Sequence, residues 1–316
     1  MYRKLFCIFL LISCISMLHI SCNSTQKKVE LVYDAQAGVG EGALWDDQNN
    51  RLLWIDITGK ILYLYYPESA QMHSYPMPQE IGTVVPLDSS TLVLALAKGI
   101  FTFNIDTKVL RAQVLPDIDT NAVRFNDGKC APDGTLWVGT MDFEVTNPIA
   151  ALYKIGPGYS FSKQLDSVTV SNGIIWSVDG TKMYYIDSPT YTVAEFDYDV
   201  KTGTIANKKI IITTPTEWGT PDGATIDEEG MLWIAHWGKG RVSRWNPNKG
   251  ILLDTIIVPA PHVTSLAFGG VHKDILYITT ARNWMQEGDV EKYPKAGGLF
   301  AVKPGVKGIS SYSFQP

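Results

Sequence analysis

Six times between Gly42 and the C-terminus the chain repeats one order of events: a turn signal, an apolar or aromatic run, then a second such run. The turn signals are Asp47-Gln48-Asn49-Asn50, Asp88-Ser89-Ser90, Asp133-Gly134, Asp179-Gly180, Glu229-Gly230 and His272-Lys273-Asp274. Leu53-Trp54-Ile55-Asp56, Leu136-Trp137-Val138-Gly139 and Leu232-Trp233-Ile234-Ala235 are typical of the first runs, and Ile61-Leu62-Tyr63-Leu64-Tyr65 of the second. Short β-branched and aromatic runs bounded by turn residues read as strands, and no stretch has the periodicity of a long amphipathic helix. The units begin near Gly42, Gly82, Gly128, Gly173, Gly223 and Ser265, at separations of 40, 46, 45, 50 and 42 residues. A period of roughly 40–50 residues built from short strands is that of a propeller blade, and radial repetition leaves only short sheet edges. The chain is predicted to be all-β, a six-bladed β-propeller, with the early strand near Leu31-Val32-Tyr33 closing the ring on the last blade.

Composition allows this and narrows the partners. With 316 residues, 45% of them hydrophobic and 19% charged, the chain affords a sizeable packed core. The formal net charge is -5, and about -7 once Arg3 and Lys4 are set aside, which excludes an electrostatic case for nucleic acid. Residues 1–21 read as a signal peptide of lipoprotein type: a basic start at Arg3-Lys4, a short apolar stretch from Leu5 to Leu18, and Ser21 before Cys22 as the first mature residue. The apolar stretch is too short for a comfortable membrane span. The alternative is an ordinary cleaved signal in which Cys22 carries no lipid. Residues 22–30 form a polar tether, and 31–316 the propeller as a single domain. The expected location is outside the cytoplasm, the protein held to a membrane only by an N-terminal lipid anchor and facing the periplasm or the cell exterior. Oligomeric state is left open. Cys7 and Cys14 fall in the leader, so Cys130 is alone in the body and reads as a buried small apolar residue.

In four of the units a polar residue stands directly before a glycine: Glu41-Gly42, Asp127-Gly128, Asn172-Gly173 and Asp222-Gly223. Units two and six have Ile81-Gly82 and Thr264-Ser265 at that place. Such dipeptides are ordinary turn formers, yet each unit already has a turn for its next hairpin, and here they precede the first strand. In a closed ring equivalent places converge on the axis. Carboxylate and amide oxygens gathered there suit Ca²⁺, Mg²⁺ or Mn²⁺ better than zinc, which draws on His and Cys. The histidines are scattered; His236, leaving a predicted inner strand, reads as a hydrogen-bonded structural residue, with a channel-facing role as the alternative. No Gly-x-Ser-x-Gly elbow supports Ser/His/Asp catalysis.

At these residues the chain resembles the SMP-30/gluconolactonase/LRE family. Gly40-Glu41-Gly42-Ala43-Leu44-Trp45-Asp46, Arg124-Phe125-Asn126-Asp127-Gly128-Lys129, Val138-Gly139-Thr140-Met141, Val170-Ser171-Asn172-Gly173 and Pro221-Asp222-Gly223 are similar to its successive motifs, in order, over Val39 to Phe300. The resemblance implies a six-bladed propeller that binds one divalent cation through Glu41, Asn172 and Asp222. Ca²⁺ is the first candidate, with Mg²⁺, Mn²⁺ or Zn²⁺ open. It implies that Asn126 lies near the ion and contacts substrate, that Arg124 reaches substrate oxygens, and that Glu144 is an acidic substrate contact. Asp142-Phe143 stands before Glu144 where some members have smaller, more acidic residues. It assigns Asp127 a turn or supporting role, in place of the axial one its glycine suggests. The implied activity is metal-dependent hydrolysis of a small sugar lactone, gluconolactonase-like, with Asp222 as general base toward water. The rival is a non-catalytic exported propeller that binds a sugar or a protein partner. An organophosphatase- or strictosidine-synthase-like propeller is a further enzyme class.

Overall fold

The structure is a computed structural model that describes residues 27–316; the expected leader, Cys22 and most of the tether lie outside the described residues. Within them the chain forms six four-stranded antiparallel sheets. The innermost strands are Gly40–Asp46, Ile81–Pro86, Val123–Cys130, Ser171–Trp176, Thr220–Ile226 and His262–Gly269. They pack side by side in a closed ring, the sixth against the first. Each blade then steps outward strand by strand, and the sixth takes Glu30–Tyr33 as its outermost strand, paired with Leu299–Val302. Ring closure by the early strand is thus as expected. The one α-helix among the described residues is Asp289–Lys292, and no helix there is long and apolar enough to cross a membrane.

Burial follows radius. Innermost strands are buried along nearly their whole length, while an outermost strand such as Gln71–Pro76 is mostly exposed or half-exposed. The core is accordingly a set of layers between neighbouring blades. Trp45, Trp54 and Tyr63 of blade one pack with Ala267, Tyr277 and Leu299 of blade six to close the ring. The sequence turn signals fold as hairpins because an aspartate side chain replaces a backbone partner. Asp88 Oδ1 accepts the N–H groups of Ser90 and Thr91, Asp179 Oδ1 that of Thr181 in blade four, and Asp227 Oδ1 those of Glu229 and Met231 in blade five.

One expectation changes here. The polar–glycine pairs are not turns ahead of the first strand; they lie inside the innermost strands, where the pairing register shifts. The same shift occurs in blades two and six, between Ile81 and Thr83 and between Val263 and Leu266. A bulge inserts an unpaired residue, bends the strand and re-aims the side chain beside it. The bulge is therefore architecture shared by all six blades, and the polar side chain is an addition in four. Glycine suits the position for two reasons. Gly42 sits at φ 62, in the left-handed region. At Gly223 a Cβ would stand 2.7 Å from the carbonyl oxygen of Thr264 in the next blade.

The C-terminal tail crosses the face that carries the hairpins. Its backbone bonds to Glu228 and Lys273 through residues Lys307 and Gly308, and to Pro86 and Gly134 through Phe314 and Gln315. Ser311 N–H donates to Asp47 Oδ2 at 3.2 Å. Ile309, Ser310, Ser311 and Tyr312 cover a cavity of about 60 Å³ whose other walls are innermost-strand residues, including Leu44, Lys129 and Thr225. The axial channel is thereby floored on this side.

Candidate active site

At the opposite end of the ring, where the innermost strands begin, the bulges bring Glu41, Asn126, Asp127, Asn172 and Asp222 to the axis, all of them less than a tenth exposed. Two carboxylates fold back on the next residue: Gly42 N–H donates to Glu41 Oε2 and Gly128 N–H to Asp127 Oδ1, both at 2.8 Å. Asp127 Oδ2 is buried with no partner. None of the three acids forms an ion pair among the described residues.

Uncompensated burial has a clear electrostatic result. Loss of hydration, reinforced by the charge of Asp127, pushes the Glu41 carboxyl up to about 8. Burial, then the charges of Glu41 and Asp127, hold Asp222 well above the ordinary carboxylate range. Arg124 and Lys129 are the opposing positive charges, and loss of hydration lowers the pKa of both.

The amides are fixed by a chain of hydrogen bonds. Arg124 Nη1 donates to Phe125 O at 3.0 Å and to Asn126 Oδ1 at 2.9 Å. Asn126 Nδ2 donates to Ser171 O at 2.9 Å and to Asn172 Oδ1 at 3.1 Å. Asn172 Nδ2 donates to Ser188 Oγ at 2.8 Å. Ser188 thereby sets which end of the Asn172 amide is the oxygen. Among the described residues no three His, Cys, Asp or Glu side chains gather closely enough to hold an ion by themselves. Asn172 adds an amide oxygen to the buried carboxylates of Glu41 and Asp222. Those three are hard oxygen donors on three blades, and buried acids that form no direct ion pair are a donor set that a divalent cation fits.

Glu144 stands apart from this group, on the exposed loop after Leu136–Asp142. That loop hangs from Asp142, which accepts the N–H groups of Glu144, Thr146 and Asn147. Asp142 is thus a loop anchor. His236 is fully buried, its Nε2 bonded to Ser243 Oγ at 2.6 Å, in keeping with the structural expectation. Cys130 is buried and unpaired.

The model of one family, described as the SMP-30/Gluconolactonase/LRE-like region, matches residues 39–282. The chain belongs to that family. A Bacillus subtilis member assigned as the sugar lactone lactonase YvrE is 36% identical over 89% of this chain and 96% of its own. Regucalcin of Danio rerio is 38% identical, with 91% of this chain and 98% of its own covered. Among solved structures, a calcium-binding regucalcin from Agrobacterium tumefaciens superposes with a TM-score of 0.88 at 25% identity, over 92% of this chain and 98% of that one. The six-bladed propeller is thus the fold of SMP-30/gluconolactonase/LRE-like relatives as well.

Lys129 is the residue whose part in the site sequence reasoning missed. Its Nζ reaches from blade three across the ring to donate to Ala224 O in blade five, at 2.5 Å. The charges of Asp127 and Glu41 favour its ammonium form. The available signal was a second basic residue on the strand that already carries Arg124, Asn126 and Asp127. Lys129→Met is expected to lower the stability of the metal-free protein at about pH 8 by ~1–3 kcal/mol, because a buried acceptor and two carboxylates lose their cation. Urea unfolding in chelator measures this; an unchanged midpoint would show that the ammonium does not balance the acids.

Proposed function

We propose that this chain is a metal-dependent hydrolase that opens sugar lactones. The observation that carries the reading is the gathering on one axis of buried, unpaired carboxylates with a guanidinium and two fixed amides. Membership of a family with a relative assigned as a sugar lactone lactonase supports the substrate class. Glu41, Asn172 and Asp222 are the residues that would hold the cation. A divalent ion bound there supplies Lewis-acid polarisation of the lactone carbonyl and lowers the pKa of nearby water. Ca²⁺ is the first candidate, since a regucalcin relative is named for calcium binding; Mg²⁺, Mn²⁺ and Zn²⁺ are the alternatives.

In this reading the protein's own groups position and move protons. Arg124, pinned by its bonds to Asn126 and Phe125, donates to substrate hydroxyl or ring oxygens, and Asn126 holds the next polar atom. Glu144 closes on the sugar from the exposed loop. Asp222 accepts a proton at its carboxylate from the attacking water, and that proton passes to the ring oxygen as the C–O bond breaks, leaving the open hydroxy acid. A cation held at Asp222 lowers its proton affinity, which keeps the carboxylate ionised but makes it a weaker base.

The test is hydrolysis of a panel of aldonolactones after chelation and after return of each of the four ions. Chelation is expected to abolish turnover, and at least one ion to restore it. Absence of ion-restored turnover across the panel would leave the non-catalytic, sugar- or protein-binding reading in its place.

A further inference from the structure

The described residues begin at Lys27, and its partner lies on the outside of the ring. Lys27 forms an ion pair with Asp254, in the outermost strand of blade five, Ile251–Ile257. Val29, two residues on, packs against the core shared by blades five and six. Cys22, the expected first mature residue, is five positions before Lys27. Five residues reach at most about 18 Å, so a lipid carried at Cys22 would be held close to this strand.

The same strand opens with Ile251, Leu252 and Leu253, all exposed. Successive side chains of a strand point to opposite faces, so three exposed in a row leave both faces of this edge bare. Blade four adds to them. Its outermost strand, Thr204–Thr213, comes so close that a Cβ on Gly250 would stand 2.6 Å from the carbonyl oxygen of Ile211, and Ile210 beside it is 55% exposed. Scattered apolar residues on a surface mean little, but a contiguous patch with a polar rim marks an interaction site. Here the rim is basic, in a chain of net charge -5. Lys208 and Lys209 precede Ile210, and Lys249 precedes Gly250; all three are exposed, and none forms an ion pair among the described residues. The acids on these strands are engaged elsewhere. Asp254 pairs with Lys27, while Glu195 and Asp197, on the strand beside Lys208 and Lys209, pair with Lys182.

We propose that this edge of blades four and five rests on a lipid bilayer, with anionic phospholipid headgroups on Lys208, Lys209 and Lys249 and the four apolar side chains at the acyl boundary. Unpaired lysines around an apolar patch are complementary to such a surface. The lipid expected at Cys22 would bring the bilayer to the strand where the described chain begins. A second copy of the chain fits less well, because a two-fold interface uses one patch twice and would set the same lysines against one another. Ile251 follows the Asn246–Gly250 turn, at the hairpin end of the ring. The mouth that holds Glu41 and Asp222 is at the other end, and is thereby directed away from the bilayer.

The full chain is purified in detergent and reconstituted into vesicles of phosphatidylethanolamine and phosphatidylglycerol. A bimane label is placed at Leu252→Cys or, at the opposite end of the ring, at Lys98→Cys. Brominated phospholipid is expected to quench the first label about twofold or more beyond the second. Equal quenching at the two positions overturns the surface, as does a chain that fails to float with the vesicles. Lysine acetylation read by mass spectrometry needs no variant. In vesicles, modification of Lys208, Lys209 and Lys249 is expected to slow about fivefold relative to Lys60 at the mouth end, and the difference to vanish when detergent dissolves the vesicles. No difference in vesicles overturns the surface. Protection that persists in detergent and falls on dilution would put a second copy on this edge and overturn the lipid occupant.

Discussion

An Asp222→Asn variant is expected to lose about 10²–10⁴-fold in kcat for sugar lactone hydrolysis, the range that a positioned general base contributes. Asparagine matches the shape of aspartate and keeps one oxygen donor, so the bulge at Pro221 and Ala224 and the contact of Gly223 with blade six have no reason to change. What disappears is the proton acceptor and one of the three buried negative charges. Loss in kcat should therefore exceed any rise in KM. Calorimetric titration with Ca²⁺ should show weakened but measurable ion binding, since Glu41 and Asn172 remain. A kcat within a few-fold of wild type, with the ion bound, would remove Asp222 from the proton-transfer role and leave it as a ligand alone.

The metal-free protein should lose stability as pH rises from about 6.5 to about 8, and an added divalent ion should return it. The sign follows from where protons reside. Glu41 in the folded state titrates at about 8 against an ordinary 4.5. Between those values the folded protein keeps a proton that the unfolded chain has released, so unfolding is favoured as pH rises. Asp222 is displaced in the same direction by the same neighbours. Buried histidines act oppositely at lower pH: His236, lowered to about 4, is neutral when folded and charged when unfolded below 6.5. Above that value the imidazoles no longer contribute and the carboxylates decide the slope. The loss should amount to a few kcal/mol across the window, about 1.4 for each pH unit that one such proton is retained. Urea midpoints in chelator at about pH 6.5 and pH 8, repeated with Ca²⁺, measure it. A midpoint that rises with pH in chelator would mean that the acids are ionised and compensated without a metal.

Much of the architecture was legible because blade strands are short, local and bounded by aspartate turns. Trp54, Trp137 and Trp233 each lie on a second strand and are fully buried between blades, so the spacing of the letters is the spacing of the blades. The polar–glycine pairs were visible for the same reason, but their local geometry was not. A polar residue before glycine reads as a turn, and only the partner strand reveals a bulge. Lys129 was hidden for a different cause. Its acceptor, Ala224 O, lies 95 residues along the chain, and nothing local marks a carbonyl as the seat of an ammonium. Asp127 received a supporting role from motif similarity, and its buried carboxylate, with one oxygen unpaired, adds the charge that raises the proton affinity of Glu41 and Asp222.

The tail bonded to blades one, two, three, five and six has a consequence for traffic. A ring of blades alone is a tube with two mouths. With the last residues laid across the hairpin end, the channel becomes a cup, and whatever reaches the axial carboxylates enters and leaves by one rim.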